Sequence, residues 1–182
     1  MGLLHSKSPK KDFKPKTLKI VLLGLENAGK TSFLNYLQNN DNSGDTLPTV
    51  GFNIGETFKF EKKGLIFDIG GKSCSLWKHY IKDANVVIFI IDVSDFERKT
   101  KLKEEVLNLA YTIDRNSQLV FLLNKIDLKE DYFIGEFVEE FKVDQLFYND
   151  LFVDRISVVK GVGLERLIRK LSGFLKFTKI VI

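Results

Sequence analysis

The eight residues "GLENAGKT", positions 24–31, constrain this chain more than any other stretch. They match G-x-x-x-x-G-K-[ST]. Before them stands "LKIVLLG", a nearly continuous apolar run that ends in glycine, and after them "KTSFLNYLQ", in which Phe33, Leu34 and Leu37 fall at helical spacing. A short apolar run so placed reads as a parallel strand buried on both faces. A strand, a glycine loop and a helix in that order bring backbone N–H groups to a helix N-terminus, where they can face phosphate oxygens. Lys30 can then reach the β/γ-phosphates, and the Thr31 hydroxyl can ligate Mg²⁺. Gly24, Leu25, Glu26, Asn27, Ala28, Gly29, Lys30, Thr31 and Ser32 are the candidate phosphate-binding residues.

The rest of the chain alternates in the same manner. "NVVIFIIDVSD" and "SQLVFLLNKID" are further buried strands that end in polar residues, and Leu102, Val106, Leu109 and Ile113 lie on one helical face between them. "NIGETFKF" and "GLIFDI", separated by "EKKG", read as a hairpin. "LFVDRISVV" reads as a last strand and "GLERLIRKLSGFLKF" as an amphipathic closing helix. Such alternation predicts an α/β fold with sites at the C-terminal ends of the strands. Pro9 and Pro15 break any long helix ahead of the first strand. The expected organisation is a mobile basic arm over residues 1–17 and a single domain over 18–182.

Charge supports that division. Of 28 lysines and arginines, six lie in residues 1–19 beside one acid, Asp12, and the remaining 22 are met by 23 acids. All the excess positive charge therefore sits on the arm. That argues against a nucleic-acid-binding face on the domain and for an arm that meets an anionic surface. The longest apolar runs, such as residues 86–91, are too short to span a bilayer. The single cysteine, Cys74, excludes an internal disulfide, and the two histidines, His5 and His79, stand too far apart for a zinc pattern.

Two further sets of residues extend the phosphate loop into a nucleotide site. "NKID", residues 124–127, ends a buried strand. Alone it could equally cap a helix. Downstream of the glycine loop it points to guanine, because an ionised Asp127 only accepts hydrogen bonds and can take both N1–H and N2–H₂ of that base. Adenine offers an acceptor at N1, which disfavours an ATPase or a P-loop kinase. Lys125 can lie along the base and Asn124 can tie its loop to the phosphate loop. Ser157, Val158 and Val159 end the last strand, where a backbone N–H could meet the base oxygen. In "PTVGFN", Thr49 is either an ordinary loop residue or a second hydroxyl for Mg²⁺. In "FDIGGK", Asp68 can serve the metal through water, and the Gly71 N–H can face the γ-phosphate. Together they form an order–disorder switch driven by one phosphate.

"GLENAGKT", "PTVGFN", "DIGGK…LWKHY", "NKID" and "KGVGLERL", in that order over nearly the whole chain, resemble the ARF/ARL (ADP-ribosylation factor-like) branch of the Ras-like small GTPases. The resemblance implies a P-loop small-GTPase fold with a six-stranded, mostly parallel sheet and about five helices. It implies GTP/GDP and Mg²⁺ as cofactors, a guanine nucleotide exchange factor, a GTPase-activating protein and effectors as partners, and a monomer active in membrane trafficking. The positions matching the family's effector-facing aromatics are Phe52, Phe67 and Trp77, although Phe67 reads equally as core.

The chain departs from the family pattern in places. Glu26 stands where the family mostly has Asp, and "SVV" replaces a smaller-residue third base loop. Lys72 stands where the family has a glutamine after its glycine pair, the segment before Leu76 is shortened, and no glutamine occurs from residue 71 to 77. A glutamine both donates and accepts, so it can align an attacking water; a lysine ammonium only donates. With Lys72, Lys30 and Gly71 as its catalytic candidates, the chain is expected to hydrolyse GTP slowly, or to act as a GTP-binding scaffold with negligible hydrolysis. "MGLLHS" fits the N-myristoylation pattern at Gly2. One acyl chain binds membrane marginally and a polybasic patch supplies a second signal, so the expected location is cytoplasmic and peripheral to a membrane, the Golgi or another endomembrane.

Overall fold

The computed structural model of the chain describes residues 17–39, 46–72, 74–95, 97–147 and 151–176. The arm with Gly2 and the end of the C-terminal tail lie outside the described residues. Six strands, β1 (Leu18–Leu23), β2 (Phe52–Thr57), β3 (Gly64–Ile69), β4 (Val86–Asp92), β5 (Gln118–Asn124) and β6 (Leu151–Arg155), form one sheet in the order β2-β3-β1-β4-β5-β6. Within it only the β2–β3 hairpin is antiparallel, with Phe52 opposite Ile69 and Thr57 opposite Gly64. The other four pairings are parallel.

Six α-helices are present among the described residues: α1 (Lys30–Asn39), α2 (Trp77–Ile81), α3 (Lys99–Thr112), α4 (Ile134–Phe141), α5 (Val143–Leu146) and α6 (Leu164–Leu175). That is one more than expected, because α2 and α5 are very short. A 3₁₀ turn, Cys74–Leu76, leads into α2.

The period of two along each strand explains why the helices lie on both faces. In β1, Val21 and Leu23 join one core with Trp77, Val106, Leu109, Phe137 and Phe141 of α2, α3 and α4. Leu18, Ile20 and Leu22 join the other with Phe33 and Leu37 of α1 and Leu164, Leu167 and Leu171 of α6. A strand with both faces buried has no polar alternation to show, which is why β1, β4 and β5 read as unbroken apolar runs. The expected apolar face of α3 holds at Leu102, Val106 and Leu109, all buried, while Ile113 has left the helix with φ −69° and ψ 138°. Both cores end at the C-terminal edge of the sheet, where the loops after β1, β3, β4 and β5 converge.

Candidate functional site

β1 delivers Gly24 to that edge. Gly24 has φ +138°, and a Cβ there would lie 2.1 Å from the Ile90 carbonyl oxygen of β4. Gly29 has φ +96°, and its Cβ would strike the Asn124 side chain at 2.3 Å. Both glycines of the motif are thus required by backbone conformation and by space. Between them the chain loops over the N-terminus of α1. Buried Lys30 arches back and donates to the carbonyl oxygens of Gly24 at 3.0 Å and Leu25 at 2.9 Å. Burial pushes its ammonium below the ordinary lysine range, and the Asp68 carboxylate opposes that shift. An ammonium held in such surroundings favours a nearby anion.

Beside Lys30, the Thr31 Oγ1 hydroxyl donates to Asp68 Oδ2 at 2.7 Å. Thr49 Oγ1 lies 2.9 Å from Thr31 Oγ1 and donates to the same carboxylate oxygen at 3.2 Å. Asn53 Nδ2 donates there too, at 3.4 Å. Asp68 is fully buried, and its other oxygen, Oδ1, has no hydrogen-bond partner among the described residues. A buried carboxylate oxygen without a partner is costly. Two hydroxyls and a carboxylate around one point form an all-oxygen donor set suited to a hard divalent cation such as Mg²⁺, which completes its shell with phosphate oxygens and water. Thr31, Thr49 and Asp68 therefore meet at one point, and their oxygens fit that ion.

At the other end, Asn124 is the joint of the site. Its Nδ2 donates to the Ala28 carbonyl at 2.9 Å, and its Oδ1 accepts from the Val158 backbone N–H at 3.1 Å. One buried side chain thus fastens the phosphate loop, the end of β5 and the loop after β6 together. Lys125 adopts φ 65°, and its Nζ lies 2.8 Å from Asp92 Oδ2 at the end of β4. Asp127, Ser157, Val158 and Val159 line the same cleft. The third loop differs from expectation in one respect. The Ser157 N–H donates to the Val162 carbonyl and the Val158 N–H to Asn124, so these two groups already serve the loop's own shape.

The cleft has a volume of about 660 Å³ and runs from Glu26, Lys30, Gly71 and Lys72 to Asp127 and Lys160. Among the described residues five cationic ones line it, Lys30, Lys72, Arg98, Lys125 and Lys160, against two acids, Glu26 and Asp127. It is sized and charged for a small polyanion. The loop after β3 closes its phosphate end. A Cβ on Gly71 would lie 2.3 Å from the Glu26 backbone nitrogen, and the Gly70 N–H donates to the Gly51 carbonyl at 2.9 Å. Lys72 keeps 74% of its side chain exposed, and its Nζ lies 3.2 Å from Glu26 Oε1 on the phosphate loop.

The three aromatics expected to face effectors do not share one surface. Phe52 is 47% exposed, whereas Trp77 is 4% exposed and packs edge-on against Phe89 at 5.5 Å between ring centroids. Phe67 packs partly buried against the core, and Tyr80 bridges it to Phe52 with centroid distances of 6.3 and 5.3 Å. Trp77 is therefore a core residue in this conformation. Sequence reasoning also missed Arg98, which lines the cleft while its guanidinium pairs with Asp95, and Asp92, the partner of Lys125. The only signal for Asp92 was its place at the polar end of an apolar run. Gly2 cannot be placed, since it lies outside the described residues.

The family model of the ADP-ribosylation factor family matches residues 6–175. The chain is similar to ADP-ribosylation factor J of Dictyostelium discoideum, with 32% identity over 82% of this chain and 80% of that protein. It is similar to ADP-ribosylation factor-like protein 6 of Danio rerio, with 34% identity over 90% and 91%. Among solved structures, the Arl6 BBS3 small GTPase of Trypanosoma brucei with bound nucleotide analogue GppNp superposes with a TM-score of 0.78 at 26% identity, over 90% of this chain and 99% of that one.

Proposed function

Because the chain belongs to the ADP-ribosylation factor family of small GTPases, we propose that it is a GTP/GDP-dependent switch that works on a membrane surface and recruits effectors in its GTP state. The carrying observation is the continuous cleft that joins the phosphate loop to Asp127 through the Asn124 side chain. In this reading Asp127 accepts from the guanine edge, Lys125 lies along the base under the hold of Asp92, and Lys30 with the loop N–H groups binds the β- and γ-phosphates. Thr31, Thr49 and Asp68 would hold Mg²⁺, which supplies charge neutralisation between the phosphates when bound. Thr49 and Gly71 lie on the two loops that meet at this point, so a terminal phosphate orders both together.

Hydrolysis is the part of the family's chemistry this chain alters. The Lys72 ammonium has no acceptor to orient a water. It can attract the γ-phosphate, but attraction felt equally in ground and transition states gives no acceleration. The reading is a slow GTPase. The Lys72–Glu26 contact, which turns the ammonium toward the phosphate loop, also favours a second reading, a GTP-binding scaffold with negligible turnover. No helix among the described residues is long and apolar enough to cross a membrane. Membrane contact would therefore fall to the arm, through a myristoyl group on Gly2 and the five lysines of residues 1–17.

The test is nucleotide binding followed by single-turnover hydrolysis. GTP and GDP are expected to displace a fluorescent guanine nucleotide while ATP does not, and Lys72→Gln is expected to hydrolyse GTP faster than the natural chain. ATP competing as well as GTP would refute the guanine assignment, and equal hydrolysis rates would refute the role given to Lys72. Intact mass of the protein purified from its host reads the state of Gly2.

A further inference from the structure

Lys72 and Glu26 both line the phosphate end of the cleft, and the structure pairs them with each other. Their meeting follows from the backbone. The Gly71 backbone packs so tightly on the Leu25–Glu26 peptide that a Cβ would fall 2.3 Å from the Glu26 nitrogen. The side chains of residues 26 and 72 therefore leave adjacent stretches of chain at the phosphate end of the cleft. The extra methylene of glutamate over aspartate brings the carboxylate to 3.2 Å from the Lys72 Nζ.

We propose that Glu26 and Lys72 form a counter-ion pair that weighs the third phosphate of the bound nucleotide. The proposal rests on the guanine-nucleotide reading above. Glu26 is the positioning residue: it holds the Lys72 ammonium on the phosphate loop while a diphosphate fills the cleft, and yields it to the γ-phosphate of a triphosphate. The contact can be exchanged because it is exposed, with 74% of the Lys72 side chain and 32% of the Glu26 side chain in solvent. Exposed ion pairs are weak, and a phosphate oxyanion carries more charge than a carboxylate. Glu26 also sets a handicap on the triphosphate. It competes for a mobile cation that would greet the γ-phosphate, while Lys30 is fixed on its own loop by two carbonyl oxygens.

The experiment measures dissociation constants of fluorescent GDP and of a non-hydrolysable GTP analogue, with Mg²⁺, for the natural chain and for Glu26→Gln, each with Lys72 kept or changed to Gln or Arg. Glu26→Gln should raise the analogue-to-GDP affinity ratio. That gain should be larger by about two- to fivefold, the range for an exposed ion pair, when residue 72 is Lys or Arg than when it is Gln. A purely structural role for Glu26 would move both nucleotides together. Equal gains in the natural and the Lys72→Gln backgrounds, which through-space repulsion alone would give, overturn the pair. So does an unchanged or lowered ratio in Glu26→Gln. Failure of the natural chain to bind either guanine nucleotide overturns the functional reading itself, and the two failures are thereby distinct.

Discussion

Asn124→Ala is the sharpest probe of how this site is built. The substitution deletes two buried hydrogen bonds and leaves the Ala28 carbonyl and the Val158 N–H without their partner. Both residues are nearly inaccessible to solvent. A buried polar group left unpaired costs about 1–3 kcal/mol, so two should cost about 2–6 kcal/mol, with water entering the cleft lowering the figure toward about 3 kcal/mol. With a urea slope near 2 kcal/mol/M, the unfolding midpoint should fall by about 1.5 M. Nucleotide should also dissociate faster, because the phosphate loop and the base loops are no longer joined. Asn124→Asp separates the two bonds. It keeps the acceptor for Val158 but turns a carboxylate oxygen toward the Ala28 carbonyl, so it should be at least as damaging as the alanine variant. Urea unfolding followed by circular dichroism, with nucleotide release followed by fluorescence, reads both effects. A midpoint shift below roughly 0.3 M in both variants, with unchanged release, would refute the claim that this side chain holds the site together.

Two other expectations follow from the core and from the 3₁₀ turn ahead of α2. Phe121 is fully buried and packs on three rings, Phe89, Phe137 and Phe147, at centroid distances of 5.8, 5.2 and 5.6 Å, so Phe121→Ala should cost about 3–5 kcal/mol of unfolding free energy; a loss below about 1 kcal/mol in urea titration would show that the core collapses around the gap. Burial pushes the Cys74 thiol up to about 11, with Glu105 adding to the shift, and its Sγ donates to the Gly71 carbonyl at 3.2 Å. Since the thiolate is the nucleophile, alkylation at pH 8 should run roughly a hundredfold slower than for a free cysteine and climb until about pH 11; a rate at pH 8 equal to that of glutathione would contradict the enclosed thiol.

Much of this was legible because local chemistry dictates it. The φ values of Gly24 and Gly29 are open to glycine, so the motif that lists those glycines already encodes the loop. β1, β4 and β5 announced themselves by unbroken apolar runs, and the β2–β3 hairpin by its break at 61–64. The short helices did not. α2 and α5 have five and four residues, and α4 shows only one buried turn, Phe137 to Phe141, so a periodic signal has no room to develop. The inward turn of Trp77 was illegible for another reason. Whether an aromatic beside a switch faces solvent or core depends on Phe89, a residue of β4 that no local pattern links to it. The services of Asp92 to Lys125 and of Asn124 to Val158 likewise exist only once strands distant in sequence stand side by side.

The two halves of the site differ in how they are fastened, and the difference says where a switch can reside. The base half and the phosphate loop are fixed by buried bonds through Asn124, and Gly24 and Gly29 stand where a larger residue would clash with Ile90 and Asn124. The sensing half is held by contacts that a ligand can replace. Thr31, Thr49 and Asn53 all donate to one oxygen of Asp68, which a divalent cation would take over, and Lys72 leans on Glu26, which a phosphate would displace. The exposed Lys72–Glu26 contact is worth about 1 kcal/mol or less, and a hydrogen bond to the buried Asp68 carboxylate about 1.5–3 kcal/mol. Carrying a two-state loop from 1:99 to 99:1 needs about 5.5 kcal/mol of differential affinity. No single contact supplies that. In the switch proposed above, Thr49, Gly71 and Lys72 would have to respond together, through Asp68 on one side and the phosphate loop on the other. The tight seat of Gly71 against Glu26 couples the loops physically, so a larger side chain at residue 71 should uncouple them while leaving Asn124 and the base end intact.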